Sequence, residues 1–163
     1  MTLPKRLTDM GFSMAEVDEC DLDIYYAVSR TCYEKYVDEY FGGWVDDIQR
    51  KMNRDAFDKE RSQSFFRKLL IHGEVVGFFA FDELHDKIEG VTIQMIEKAQ
   101  NKGVGSFCLQ HIVSLSEENH KPIFLRVFMT NPAQNLYKTF GFEVYDQTYS
   151  HYLMRYDPVN ANG

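Results

Sequence analysis

The strongest constraint on the fold is a run in which an apolar strand, a glycine-containing loop, an amphipathic helix and a second apolar strand follow one another. Residues 87–96 and 122–128 predict the two strands, and residues 103–118 predict the helix between them. A strand–helix–strand unit places its two strands parallel in one sheet, because the chain crosses over the sheet before it returns. The sequence therefore predicts at least one parallel pair of strands.

The other predicted elements favour antiparallel neighbours. His72-Gly73 joins two apolar runs, a pattern typical of a β-hairpin. The predicted strands are residues 12–17, 65–71, 74–81, 87–96, 122–128, 142–148 and 149–156, and the predicted helices are residues 21–40, 45–57, 103–118 and 131–140. In the second helix, Ile48, Met52 and Ala56 form the predicted apolar side. We expect an α/β (α+β) fold with a mixed, mostly antiparallel twisted sheet of about seven strands with four helices, in the order β-α-α-β-β-β-α-β-α-β-β.

Length and composition indicate one domain. Of the 163 residues, 44% are hydrophobic and 26% are charged, with no repeat or flexible linker. Residues 1–163 are therefore interpreted as a single domain with a disordered tail at 158–163. The sequence has no run of the roughly 20 apolar residues that a membrane helix requires, and no pattern typical of a signal peptide. We expect a cytoplasmic protein that does not bind membranes.

Charge and cysteine content narrow the function classes. The net charge of −7 argues against nucleic acid as a partner, because phosphate binding requires a surplus of lysine and arginine. The same charge favours a cationic partner by long-range attraction, although an acidic composition also serves solubility alone. Cys20, Cys32 and Cys108 are widely spaced, and the histidines lack ligand spacing, so we predict reduced thiols and no metal site.

The loop Gln100-Asn101-Lys102-Gly103-Val104-Gly105-Ser106 carries the clearest chemical signal. It lies at the predicted start of a helix, where unpaired backbone N–H groups and a partial positive charge favour anions. Glycines there allow a phosphate to approach the backbone closely. The glycine spacing differs from dinucleotide-binding and nucleoside-triphosphate-binding loops. By itself the pattern also fits a helix that merely begins with two glycines.

A second segment makes the signal more specific. Asn131-Pro132-Ala133-Gln134-Asn135-Leu136-Tyr137-Lys138-Thr139-Phe140-Gly141-Phe142 follows the second apolar strand. Together, the Gln-x-x-Gly-x-Gly loop and this segment resemble the GNAT acetyltransferase superfamily over about residues 87–142. The resemblance implies acetyl-coenzyme A as co-substrate, a primary amine of a small molecule or a peptide as acceptor, and a possible homodimer. The alternative is a non-catalytic acyl-coenzyme A-binding module of the same fold.

The resemblance also implies a set of cofactor-binding residues. The predicted strands 87–96 and 122–128 would splay apart to admit the pantetheine arm. Backbone groups of the strand would bind the pantetheine arm and the thioester, and backbone groups of the loop would bind the diphosphate. Polar side chains on the following helix would face the cofactor. These residues are Ile93, Gln94 and Met95 on the strand, Asn101, Lys102, Gly103, Val104, Gly105 and Ser106 in the loop, and Asn131 and Asn135 on the helix. Many relatives have a proline where this chain has Glu97, and arginine or glycine where it has Asn101-Lys102.

Two residues are candidates for proton transfer. Tyr137 occupies the position of the family's general-acid tyrosine, and a phenol remains protonated at neutral pH. The helix stripe that contains Tyr137 would equally suit a packed core tyrosine. Glu89 lies eleven residues before Gln100, the offset of a glutamate base in one branch of the superfamily. We expect Glu89 to share an apolar strand face with Val91, Ile93 and Met95, although ordered water could replace it as the base.

One aromatic and acidic group is a candidate acceptor site. Trp44, Asp46 and Asp47 follow the first predicted helix, in the region that covers the acceptor in GNAT folds. The indole and carboxylates would bind a cationic amine by cation–π and charge contacts. The alternative is a core aromatic beside acidic residues at a helix start.

Overall fold

A computed structural model describes residues 1–159 of the chain. Seven strands form one sheet in the order β1-β2-β3-β4-β5-β7-β6. Strands β4 and β5 are parallel, and the other neighbours are antiparallel. The predicted mixed, mostly antiparallel sheet with a parallel pair is confirmed.

The strands are β1 (Phe12–Glu16), β2 (Phe65–Ile71), β3 (Glu74–Glu83), β4 (Ile88–Met95), β5 (Ile123–Phe128), β6 (Glu143–Gln147) and β7 (His151–Tyr156). The helices are α1 (Lys5–Asp9), α2 (Leu22–Phe41), α3 (Asp46–Arg61), α4 (Val104–Asn119) and α5 (Ala133–Thr139). Short 3-10 turns precede α2 and connect β4 to the loop before α4.

The helix α1 was not among the four predicted helices. It has five residues, which is too short for an apolar period to be visible in the sequence. The Leu7 and Thr8 amides donate to the Pro4 carbonyl, and the Leu7 side chain is fully buried. Tertiary packing of Leu7 therefore stabilises a helix that is too short to form by itself.

The sheet separates two apolar cores. The larger core includes Leu7, Phe79 and Ile112, so it joins α1 and α4 to one face of the sheet. The smaller core includes Tyr25, Phe57, Phe66, Phe78 and Ala80, and it joins α2 and α3 to the opposite face.

Helix α3 buries a different face from the predicted one. Ile48 and Met52 are exposed, whereas Asn53, Phe57 and Glu60 are buried. Asn53 is satisfied locally, because its Nδ2 donates to the Gln49 carbonyl at 2.8 Å. The prediction failed because it assumed that only apolar residues define the buried face, and two polar side chains here turn inward.

The chain end is attached to the fold as far as residue 159. Pro158 is buried, and the Val159 amide donates to Glu117 Oε1 at 2.8 Å. The predicted disorder of 158–163 therefore does not hold for residues 158 and 159, and residues 160–163 lie outside the described part. Among residues 1–159, no helix combines the length and the apolar content that crossing a membrane requires.

Candidate functional site

The parallel strands β4 and β5 separate soon after they meet. Their only register pair within the described chain is Ile88 with Ile123. The Ile88 amide donates to the Pro122 carbonyl at 2.9 Å, which closes the opening at this end. No further register pair joins these two strands among residues 1–159, so within that range the later part of β4 has an edge without a strand partner. The predicted splay is present.

Backbone groups of β4 alternate between β3 and this open edge. The Ile96 amide donates to the Val76 carbonyl, so the Met95 backbone, one residue earlier, points away from β3. By the same alternation Ile93 faces the opening and Gln94 faces β3. The expectation that all three backbones line the opening is therefore wrong for Gln94, because neighbouring residues in a strand direct their polar groups to opposite edges.

The Met95 carbonyl already has a partner in the protein, because it accepts from Gln100 Nε2 at 2.8 Å. Burial raises the pKa of the Cys32 thiol to about 11, and the nearby Met95 backbone opposes this effect in part. The thiol is therefore neutral at physiological pH and lies near Met95 at the open edge of β4.

The loop before α4 has the geometry of an anion-binding helix start. Asn101 and Gly103 have positive φ angles of 59° and 90°. The first intrahelical bond joins the Phe107 amide to the Gly103 carbonyl at 3.0 Å, so the Val104, Gly105 and Ser106 amides have no intrahelical acceptor. These groups point out of the helix start toward the site that a diphosphate would occupy.

Arg6 of α1 contacts this loop, a feature that the sequence analysis missed. Its Nη1 donates to the Lys102 carbonyl at 2.9 Å. A side chain at Gly103 would place its Cβ 2.8 Å from both guanidinium Nη atoms, and the φ of Gly103 further favours glycine. Arg6 and Lys102 lie 96 positions apart in sequence, so no local pattern could have indicated their contact.

The starts of α4 and α5 meet at the end of β4. A Cβ at Gly105 would lie 3.4 Å from Leu136 Cδ2 and 3.5 Å from Met95 Cε. Tyr137 follows on the inner face of α5 and is 8% exposed. Burial, with a smaller contribution from Cys108, raises the pKa of Tyr137 to about 12, so its hydroxyl keeps its proton.

The two asparagines of the α5 region differ in their surroundings. Asn131 Oδ1 accepts from the Ala133 amide at 2.9 Å, so this side chain caps the start of α5. Asn135 is exposed on the next turn. Only Asn135 has a solvent-facing side chain that a bound cofactor could contact without breaking the cap.

Glu89 does not share the predicted face. The β3–β4 register pairs Ala80 with Thr92 but Asp82 with Glu89, so β4 has one extra residue. Gly90 lies in this bulge with a φ of 63°, and a Cβ there would lie 2.1 Å from Gln63 Nε2. The bulge rotates Glu89 away from the face of Val91, Ile93 and Met95. Its side chain is 44% exposed, and it pairs with Lys87 Nζ at 3.3 Å.

The predicted acceptor site at Trp44 is already filled by the protein. The guanidinium carbon of Arg30 lies 5.5 Å from the centre of the Trp44 ring. Arg50 Nε bonds Asp46 Oδ2 at 2.8 Å, and the Tyr26 hydroxyl donates to Asp46 Oδ1 at 2.5 Å. Two arginines of the chain therefore occupy the positions that were predicted for a cationic ligand.

Within residues 1–159, no group of three or more histidine, cysteine, aspartate or glutamate side chains has metal-binding geometry.

Comparison with known proteins agrees with this geometry. The sequence profile of the family described as "Acetyltransferase (GNAT) family" matches residues 29–142, which include the splayed strands, the loop and Tyr137. The chain belongs to the GNAT family. It is 26% identical to the probable N-acetyltransferase san of Drosophila melanogaster, with 69% of this chain and 70% of that relative covered.

Solved structures share the fold at low sequence identity. One is the PaiA N-acetyltransferase of Thermoplasma acidophilum in complex with coenzyme A, with a TM-score of 0.68, 19% identity, and 91% of this chain and 99% of that chain covered. Another is Naa50 of Arabidopsis thaliana in complex with the bisubstrate analogue CoA-Ac-MVNAL, with a TM-score of 0.62, 19% identity, and 90% and 99% covered. Both likenesses concern the fold alone.

Proposed function

We propose that this protein transfers the acetyl group of acetyl-coenzyme A to a primary amine by direct attack in a ternary complex. The observation that carries the proposal is the splay between β4 and β5, which opens beside the exposed amides of Val104, Gly105 and Ser106. A diphosphate bound at those amides would direct the pantetheine arm into the opening. The structural neighbour Naa50 was solved in complex with the bisubstrate analogue CoA-Ac-MVNAL, which supports an acceptor amine of peptide type. A small-molecule amine is the other acceptor class.

The residues of the opening have distinct roles in this proposal. Asn101, Lys102 and Gly103 shape the loop, and its amides bind the diphosphate. The backbones of Ile93 and Met95 would lie along the pantetheine, and the Met95 amide would donate to the thioester oxygen as negative charge develops there. Tyr137 donates its proton to the departing sulfur, a role that its raised pKa permits.

Placement supplies much of the rate. Holding an amine beside the thioester can lower the barrier by several kcal/mol, on the order of 7 or more in well-oriented cases. The acidic net charge of −7 assists encounter with cationic amines. Glu89 remains a predicted general base. Its exposure and its ion pair with Lys87 make it a poor position for that role.

The test is a thiol-release assay with acetyl-coenzyme A and a panel of amines. The panel comprises n-butylamine, lysine, spermidine and a tetrapeptide with a free α-amino group. We expect release of coenzyme A with at least one amine and formation of the matching amide by mass spectrometry. Binding of coenzyme A without thiol release from any amine would contradict the enzyme and favour the acyl-coenzyme A-binding module. Light scattering on the same samples tests the predicted homodimer.

A further inference from the structure

The carboxylate of Glu60 is buried on the α2 and α3 side of the sheet. The residue is 6% exposed, although it lies near the end of a strongly charged helix. Thr92 Oγ1 on β4 donates to Glu60 Oε1 at 2.5 Å, and the Tyr25 side chain lies near this carboxylate. Among residues 1–159, Glu60 Oε2 has no hydrogen-bond partner. A buried carboxylate oxygen without a donor is costly, by roughly 1–3 kcal/mol or more, so an oxygen left open here is a feature to be explained.

A second open acceptor lies on the same face of β4. Gln94 is 4% exposed, and its Oε1 also lacks a partner. Gln94 and Thr92 are two residues apart in the strand, so their side chains point to the same side. Their register partners, Phe78 and Ala80, belong to the core between the sheet and α2, which places Gln94 and the Glu60 carboxylate in one layer.

The unpartnered groups share one chemical character. The buried side-chain atoms without partners in the described chain are Glu60 Oε2, Gln63 Oε1 and Gln94 Oε1, and all three are acceptors. Gln63 packs against Gly90 of the same strand. A ligand that satisfies this layer must supply donors and suits a positive charge. A primary ammonium group has three N–H donors and one positive charge.

This layer adjoins the acetyl-transfer opening through α2. Cys32 of α2 packs against the smaller core, which contains Phe78 and Ala80. Phe78 is the register partner of Gln94, and Ala80 is the register partner of Thr92, which bonds Glu60. Cys32, Gln94 and the Glu60 carboxylate therefore lie on the same face of β4, the strand whose edge forms the opening.

We propose that Glu60 and Gln94 form the subsite for the acceptor's ammonium group, and that Glu60 takes the proton which frees the amine for attack. This inference rests on the proposed acetyl transfer. The ammonium binds to the free oxygens, and one N–H proton passes to Glu60 Oε2. The amine nitrogen then forms a bond to the thioester carbon, and the C–S bond breaks as the sulfur gains a proton from Tyr137. The second nitrogen proton restores Tyr137, and Glu60 releases its proton to solvent, so one proton is produced for each amide formed.

The electrostatics of the layer suit this role. Burial raises the pKa of Glu60, and Thr92 and Tyr25 oppose this effect in part. The charged and titratable groups around Glu60 are Tyr25 and Tyr33 from α2 and Lys59 from α3. Both tyrosines have pKa values above the ordinary range because they are buried, so they stay neutral while Glu60 titrates. The rate should therefore rise with pH as Glu60 loses its proton.

The experiment compares Glu60→Gln with the matched variant Glu143→Gln in the full chain, since Glu143 is exposed on β6. The probe is the amine of the panel with the highest wild-type rate, and kcat/KM is measured from about pH 5 to pH 9. We expect Glu60→Gln to lower kcat/KM by about 100-fold or more and to remove the acidic limb of the pH profile, as loss of a general base does. Glu143→Gln should retain both the wild-type kcat/KM and the acidic limb. Affinity for coenzyme A, measured by calorimetry, should stay within about twofold in both variants.

A wild-type rate and acidic limb in Glu60→Gln would overturn the inference while leaving acetyl transfer intact. Absence of transfer by the wild-type protein would instead contradict the proposed function. Because Glu60→Gln could fail to fold, Gln94→Leu provides an independent test. It should raise KM for the amine by about tenfold and leave the acidic limb in place. An unchanged KM for the amine in Gln94→Leu would also overturn the subsite.

Discussion

Arg6 Nη1 lies 2.9 Å from the carbonyl oxygen of Lys102, and this hydrogen bond joins the N-terminal helix to the loop at the start of α4. The guanidinium uses one of its donors on the carbonyl and retains others on the loop side. It also packs against Gly103, whose left-handed conformation shapes the loop. An arginine near the backbone amides of the loop adds positive charge to a protein whose net charge is −7.

Arg6→Gln is expected to weaken binding of coenzyme A by about 10- to 150-fold, because a charge-assisted hydrogen bond contributes roughly 1.5–3 kcal/mol. Calorimetry with coenzyme A at two salt concentrations measures the effect, and the variant should also show a smaller salt dependence. Lys5→Gln is the control, since Lys5 pairs with Asp9 on the exposed side of the same helix. Equal affinities in the two variants would show that Arg6 does not support the loop.

Tyr137→Phe is expected to lower kcat by about 100-fold or more while leaving the affinity for coenzyme A unchanged. The ring and its packing against Phe142 remain in this variant, so the melting temperature should change little. Tyr145→Phe on the exposed strand β6 provides the control for a lost hydroxyl. A kcat equal to that of wild type would remove Tyr137 from the proton transfer.

His151 should make the fold less stable in acid. Burial, with a smaller contribution from Arg126, lowers the pKa of His151 to about 4. The unfolded chain has the ordinary histidine pKa of about 6.5 and therefore binds a proton first as the pH falls. The free energy of unfolding should accordingly decrease between about pH 6.5 and pH 4, by on the order of 1–2 kcal/mol after solvent screening.

Urea denaturation at several pH values measures this effect. In His151→Gln the decrease over the same pH range should be smaller than in wild type. His85→Gln, which changes an exposed loop histidine, should keep the wild-type decrease. Parallel pH curves for wild type and His151→Gln would contradict the assignment.

The three cysteines should react with a thiol reagent in a fixed order. Cys20 is exposed and should react first, whereas Cys108 is fully buried and should react only on unfolding. Cys32 should react slowly at pH 8, because burial raises its pKa to about 11 and little thiolate is present. Coenzyme A should slow Cys32 further by filling the opening beside Met95. Mass spectrometry of alkylated peptides, with and without coenzyme A, measures the order of reaction. If coenzyme A protected Cys20 and not Cys32, the coenzyme would bind elsewhere.

Much of the fold could be predicted because its signals are local. The run from β4 to β5 shows its strand, loop and helix in consecutive residues, and glycine at position 103 meets a local requirement for positive φ. The same holds for the start of α5, where Asn131 caps the helix within three residues. The role of Tyr137 rests on the resemblance to the GNAT superfamily and stays a prediction.

The remaining features depend on residues that are distant in sequence. An extra residue in β4 displaced Glu89 from its predicted face, and such a bulge is visible only in the pairing with β3. Glu60 had no distinguishing sequence pattern, because its burial depends on Thr92 of a strand 32 positions away. The face of α3 was mispredicted for the same reason.

The sequence by itself determined the order of the strands and of the longer helices and the loop at residues 101–106, because backbone preferences and apolar spacing act between near neighbours. Only the tertiary structure decided which side chains meet that loop and the face of β4 beside the opening. Arg6, Glu60 and Cys32 lie on three different helices, and each meets a residue distant in sequence. The physical reason is that burial and electrostatic environment are properties of the packed chain, and a side chain acquires them only when distant elements come together.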